Sequence, residues 1–127
     1  EPVYAQASRD LIGMQQDVAG FLNGLDIFLL TSTSEGFSIA CVEAMACGLP
    51  VVATRCGGPE EILQDGVTGL LVANGKPLEI ARALATLISE PSLRDRLGGS
   101  ARRHAVATFD LERMLDSYET LFLEIVR

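Results

Sequence analysis

The sequence predicts an α/β domain: a parallel sheet with flanking helices that ends in a run of helices. Three observations carry this. Short apolar runs without alternation recur at Asp26 to Thr31, Val51 to Thr54 and Gly69 to Val72, the pattern of parallel strands covered on both faces. Helical stretches separate these runs, as right-handed crossovers require. After Asn74-Gly75 only helical periodicity remains.

Taken in order, Leu11-Ile12-Gly13 is expected to end a first short strand, and Asp17 to Leu22 to form a helical turn or two closed by Asn23-Gly24. The run from Asp26 follows. Ser38 to Cys47 reads as a helix of small and apolar residues, stopped by Gly48 and Pro50. Gly57-Gly58-Pro59 opens a helix through Leu63, with proline at its favoured early position. Asp65-Gly66 is a turn before the last strand. In the next helix Leu78, Ala81, Leu84, Ala85 and Ile88 share a face, and the Glu90-Pro91 step ends it. Leu93 to Phe109 is a further helix, expected to loosen at Gly98-Gly99. Asp110 can cap the last one, where Leu111, Met114, Leu115, Tyr118, Leu121, Phe122 and Ile125 form a three-four stripe.

Composition narrows the function classes. A chain of 127 residues is one domain's worth, and 48% apolar against 21% charged residues excludes a disordered chain. Ten basic against seventeen acidic residues give a net charge of −7, so neither nucleic acid nor an anionic membrane surface is an expected partner. Arg102-Arg103 reads as a solvated helix face. No apolar run approaches the roughly 20 residues that span a bilayer. The three cysteines, Cys41, Cys47 and Cys56, lie in apolar surroundings without metal-ligand spacing, so all three are expected to be buried free thiols of a reducing, cytoplasmic compartment. A lone His104 in a helical stretch makes a zinc site an unfavoured reading. The opening Glu1-Pro2, without Met, suggests a processed or excised piece.

Ligands of open parallel sheets bind at the carboxyl ends of the strands. The polar loop Ser32 to Ser38 lies there, between a strand and a helix. Gly36 admits close approach, and the amides of Phe37, Ser38 and Ile39 at the helix start suit a phosphate or pyrophosphate. An ordinary turn capped by Ser38 is the alternative. Glu43 is the only charged residue in Ile39 to Cys47. In a helix apolar all round it is expected to be buried, either accepting hydrogen bonds from a ribose diol, or pairing internally with an arginine such as Arg55, or serving as a backbone cap. Glu35 would contact a sugar ring or stabilise positive charge at a sugar carbon, or else complement the helix dipole. Gly57-Gly58 either lines the same crevice or makes a plain turn.

Together these segments resemble a known family. Ser34 to Ser38, Val42 to Ala53, Gly57 to Ile62 and Asp65 to Val72 are similar, in that order, to the donor-binding domain of retaining GT-B-fold glycosyltransferases of group 1, family four. The resemblance covers roughly residues 11 to 125. It implies the Rossmann-like later part of a GT-B carboxy-terminal domain. The substrate would be a nucleotide sugar such as a UDP- or GDP-sugar, with transfer of a hexose-type sugar to an acceptor with retention, no cofactor and no metal. By the resemblance, Glu35 is the catalytic residue that meets the donor sugar. Gly36, Phe37, Ser38 and Ile39 meet the diphosphate and sugar, Glu43 holds the ribose hydroxyls, and the segment from Gly13 to Val18 receives the base.

The sequence also departs from the family. Ser38 stands where glycine is common and Thr31 where proline is frequent. The family's amino-terminal acceptor domain, and an early Arg and Lys that neutralise the diphosphate, have no counterpart in these 127 residues. The chain therefore reads as a single, incomplete nucleotide-sugar-binding domain, inactive in transfer by itself. Peripheral membrane contact is left open for the full-length enzyme. The alternative is a non-enzymatic nucleotide-binding or assembly module that kept this half-fold, or a degenerate domain without ligand. In the family the strand order is 3-2-1-4-5-6, with Leu11-Ile12-Gly13 matching the third and the Asp26 run the fourth. With the first two missing, the Asp26 strand is expected at an edge and part of the last helical stripe uncovered. Both predict a homodimer.

Overall fold

The computed structural model describes Asp10 and residues 12–127. Helix α1 (Val18–Leu22) leads to strand β1 (Phe28–Leu30), helix α2 (Ile39–Ala46), strand β2 (Val51–Thr54), helix α3 (Gly58–Ile62) and strand β3 (Leu70–Val72). Three helices follow: α4 (Pro77–Ser89), α5 (Pro91–Thr108) and α6 (Leu111–Val126). The strands form one parallel sheet in the order β1-β2-β3, with Phe28 opposite Val51 and Val52 opposite Leu70. This is the expected α/β architecture with its terminal run of helices.

Strand side chains alternate between two cores. Val51 and Ala53 of β2 face α2, α3 and α5, joining Cys41, Met45, Ile62, Ala101 and Ala105. Val52 faces the other way and packs with Val72, Leu87 and Leu97. All four β2 residues are buried, as a covered central strand demands.

At β1 the expectation of two covered faces fails. Phe28 and Leu30 pack into the first core, but Leu29 is 40% exposed. Helix α4 packs on β2 and β3. Among the described residues β1 is an edge strand, as its place in the chain predicts.

The strand expected at Leu11-Ile12-Gly13 is not formed where it is described. Ile12 and Gly13 lie outside every strand, and Leu11 lies outside the described residues. Ile12 is half exposed, Gly13 has φ +64°, and the Ile12 carbonyl accepts from the Gln15 side chain instead of a strand.

Three helical expectations are also corrected. The face that α4 buries is Ile80, Ala83, Leu84 and Leu87. Leu78 and Ile88 of the expected face are exposed. Both series satisfy helical spacing, and the sheet selects the one that reaches Val52 and Val72. Helix α5 begins at Pro91 and runs unbroken through Gly98-Gly99. Gly98 is buried because its helix presses on α2: a Cβ there would lie 2.1 Å from the Gly48 carbonyl oxygen. Asp110 occupies the N-cap position of α6, but its side chain caps no amide.

Of the cysteines, Cys41 is buried while Cys47 and Cys56 are half-buried, and all three are free. Arg103 is exposed, as expected, but the equally exposed Arg102 also donates to the Ala46 carbonyl, satisfying the last turn of α2. His104 lies in α5 with its ring edge-on to Phe109. No helix among the described residues is long and apolar enough to cross a membrane.

Candidate functional site

Parallel strands place the segments that follow them at one end of the sheet, the carboxyl end of the strands. Here the loops after β1, β2 and β3 meet. Thr54, the last residue of β2, donates from Oγ1 to the Ser32 carbonyl at 2.6 Å. Asn74, past β3, donates from Nδ2 to the Thr33 carbonyl at 2.9 Å. The Glu35 amide donates to the Cys56 carbonyl at 3.1 Å, and the Gly58 amide to the Glu35 carbonyl at 3.0 Å. The loop that carries Glu35 is thus tied to both neighbouring strand ends.

Glycine is required at this junction. Gly57 has φ +114°, a conformation that L side chains resist. At Gly58 a Cβ would fall 1.5 Å from the Gly36 carbonyl oxygen and 3.2 Å from the Phe37 Cα. The two glycines bring the β2 loop against the β1 loop and so line the crevice, one of the two readings their sequence left open.

Glu35 is half-buried, and its Oε1 accepts a hydrogen bond of 2.7 Å from Ser32 Oγ. Gly36 is exposed, with nothing near a built Cβ. Ser38 is 4% exposed and caps α2 by accepting from the Cys41 amide at 3.4 Å. The amides of Gly36, Phe37, Ser38 and Ile39 have no hydrogen-bond acceptor among the described residues. They sit at the positive end of an eight-residue helix. Phe37 and Ile39 are exposed beside them, and the Phe37 ring stands edge-on to Phe109 with centroids 5.5 Å apart.

Glu43 overturns the expectation of a buried carboxylate. It is exposed on α2, as are Ile39 and Ala40. The helix is buried on one face only, through Cys41, Ala44 and Met45. Nor does Arg55 reach Glu43: its guanidinium pairs with Asp65 at 2.8 Å. Glu43 instead lies one turn along the exposed face that begins at Ile39, open to whatever occupies the loop. Gly13 lies in the irregular segment before α1 and is exposed. No hydrogen bond among the described residues joins it to the loop.

The contiguous residues Glu35 to Ile39 and the helix face carrying Glu43 therefore share one region, while Gly13 is not tied to it. Sequence reasoning placed Ser32 in the loop without its bond to Glu35, and missed Thr54 and Asn74. Thr54 had a signal: a hydroxyl closing the apolar run Val51-Val52-Ala53 must find a partner when buried. Asn74 had none, because its bond crosses 41 positions of sequence.

Below the loop, burial pushes the Cys41 thiol above its ordinary value, partly offset by its hydrogen bond with Ser38. Chemically the arrangement offers free amide donors and a helix terminus for an anion, flanked by two carboxylates that accept hydrogen bonds from hydroxyl groups.

Comparison with known proteins identifies the family and the fold. Residues 6–104 match the model of the family Glycosyl transferases group 1. The chain is 35% identical over 116 residues to N-acetyl-alpha-D-glucosaminyl L-malate synthase of Bacillus anthracis, covering 91% of this chain and 30% of that protein. It is 42% identical over 89 residues to a D-inositol 3-phosphate glycosyltransferase of an Arthrobacter species, 70% of this chain and 21% of that one.

Among solved structures, HepE of Anabaena in complex with UDP-glucose superposes with a TM-score of 0.81 at 33% identity, over 85% of this chain and 30% of that one. The carboxy-terminal domain of a group 1 glycosyl transferase from Francisella tularensis (LpcC) gives 0.73 at 29% identity, over 81% and 53%. The chain thus spans about a third or less of the curated relatives it matches. By its family match and its Rossmann-like fold, that of the GT-B carboxy-terminal domain, the chain belongs to the group 1 glycosyltransferases.

Proposed function

We propose that this chain is the donor-binding part of a retaining glycosyltransferase, and that it takes a nucleoside diphosphate sugar, with a UDP-hexose the first candidate. One observation carries the reading: the amides of Gly36 to Ile39, without acceptors among the described residues, open an eight-residue helix directly beside the anchored carboxylate of Glu35. The 33% identity to HepE, solved with UDP-glucose, supports a uridine nucleotide.

In this reading the amides and the helix dipole hold the diphosphate without a metal. Glu35 accepts hydrogen bonds from the sugar and faces the positive charge that develops at the anomeric carbon. Glu43 holds the ribose diol from the exposed face of α2, and the base lies along the segment of Gly13. In transfer, the bond from the anomeric carbon to the diphosphate oxygen breaks, and a bond from an acceptor hydroxyl forms on the same face. The hydroxyl proton leaves with the diphosphate. The acceptor is held by a separate amino-terminal domain, so these 127 residues bind donor without turning it over. Three free thiols fit a cytoplasmic setting.

We also propose that the isolated chain pairs with a second copy. The edge of β1, with Leu29 40% exposed, and the uncovered stripe of α6 support it.

Titration calorimetry tests the donor reading. UDP, GDP and UDP-glucose are each titrated into the chain, with uridine and guanosine as controls. A diphosphate should bind where its nucleoside does not, and Glu43→Gln should weaken it by about 1–2 kcal/mol. Absence of binding by all three diphosphates would defeat the reading. Retention is read in the full-length enzyme from the anomeric proton coupling of the product.

A further inference from the structure

We propose that Ser32 is a positioning residue for Glu35, fixed in its turn by Thr54, and that this relay sets how well the site reads the sugar. The inference rests on the donor-binding reading above. The backbone of Glu35 is already held on both sides, by its own amide and by its carbonyl. Its side chain would still be free to swing, since a glutamate loses considerable rotamer freedom when it is fixed. The Ser32 hydroxyl removes that freedom by donating to Oε1 at 2.7 Å. Oε2 makes no hydrogen bond among the described residues and so remains for a ligand hydroxyl.

Ser32 cannot drift, because its carbonyl accepts from Thr54 Oγ1 at 2.6 Å. Thr54 is 2% exposed and belongs to the fully buried strand β2. The carboxylate is thereby referenced to the core of the sheet through two hydroxyl groups. Such preorganisation lowers the ordering cost that a sugar would otherwise meet on binding.

A diphosphate alone meets the amides and not Glu35, so UDP and UDP-glucose separate this role from general support of the loop. Both ligands are titrated into the chain and into Ser32→Ala, Ser32→Thr, Glu35→Ala and the Ser32→Ala/Glu35→Ala double variant. Ser32→Ala should weaken UDP-glucose by about fivefold, the affinity equivalent of immobilising one side chain, and leave UDP within about twofold. Ser32→Thr should restore UDP-glucose binding. The double variant should bind UDP-glucose no more weakly than Glu35→Ala alone.

Equal losses for UDP and UDP-glucose, or a further loss in the double variant, would show Ser32 to be a loop support and overturn the inference. If Glu35→Ala weakens UDP-glucose and Ser32→Ala does not, the inference falls and the donor reading stands. If Glu35→Ala leaves UDP-glucose unchanged, the assigned role of Glu35 falls and the relay with it.

Discussion

The crevice loop and the last helix stand at opposite extremes of the same chain. The loop from Ser32 to Ser38 is mostly polar, and it is tied down by hydrogen bonds donated by Thr54, Asn74 and Gly58 and by one that the Cys56 carbonyl accepts. Helix α6 is rich in apolar residues and buries none of them. Phe122 is 61% exposed and Ile125 70%. An exposed polar loop is ordinarily the mobile element and an apolar helix the packed one. Their reversal supports the proposals that the loop meets a ligand and that α6 meets another surface.

The sharpest way to break the comparison is at Gly58. A Cβ there meets the Gly36 carbonyl and the Phe37 Cα, both of them backbone. No side chain can move aside, so Gly58→Ala should cost about 3 kcal/mol or more of stability, measured by urea unfolding. It should also abolish diphosphate binding in whatever fraction remains folded. Gly98→Ala is the control. Its Cβ would crowd the Gly48 carbonyl, which precedes β2 at the amino end of the strands, 2.1 Å away. It should be comparably destabilising yet leave the ligand affinity of the folded protein intact. Ligand loss in both would mean that the loop is no more specialised than the rest of the fold.

Next in size is Glu35→Ala, which removes a half-buried carboxylate already engaged by Ser32. Affinity for UDP-glucose should fall by about 2 kcal/mol, the scale of a hydrogen bond to a charged group, with UDP affected far less. Calorimetry with the two ligands side by side gives the answer. Equal losses would place Glu35 among the loop's supports.

How far the sequence disclosed these features depends on the range of the forces involved. Strands β2 and β3 and helices α1 and α2 stand close to where the apolar runs, the capping residues and the glycines place them. Those signals act over a few residues. The face of α4 was not legible, because Leu78-Ile88 and Ile80-Leu87 are both helical stripes, and only the position of β2 and β3 chooses between them. The exposure of Glu43 was hidden for a related reason. A segment of small apolar residues looks buried all round, yet α2 meets the core through Cys41, Ala44 and Met45 alone. Within the site, the Glu35 to Ile39 loop was readable from its residue types, whereas Ser32, Thr54 and Asn74 gain their roles from bonds across the strand ends.

The α6 side of the comparison is sharpened by surface substitutions. Phe122→Asp and Leu29→Lys alter residues that support no core, so each should change stability by no more than about 0.5 kcal/mol. If the chain pairs with a second copy through these surfaces, light scattering at micromolar concentration should show a dimer for the parent and a monomer for at least one variant. A parent that is monomeric throughout would rule out self-association as the cover for α6.

The smallest expected effect lies under the loop, at Cys41. This thiol is fully buried, and burial raises its pKa above the ordinary 9.0, more than its hydrogen bond with Ser38 lowers it. The folded state therefore holds the thiol proton more tightly than the unfolded state does. Well below pH 9 both states are protonated and the stabilising contribution is complete. As pH rises past the ordinary value, the unfolded chain releases its proton first and stability declines, by at most about 1.4 kcal/mol per pH unit for this one group. Urea unfolding from pH 8 to 10, for the parent and Cys41→Ala, isolates the contribution, because every other titrating group is common to both. The parent should lose stability more steeply over that interval than the variant. In the native state Cys41 should also be the last thiol to react with an alkylating reagent, after the half-buried Cys47 and Cys56. Equal slopes would mean that the floor of the crevice admits water. Early alkylation of Cys41 would mean that α2 opens as readily as α6 is exposed, and the contrast between the anchored loop and the uncovered helix would then not extend to the packing beneath Ser38.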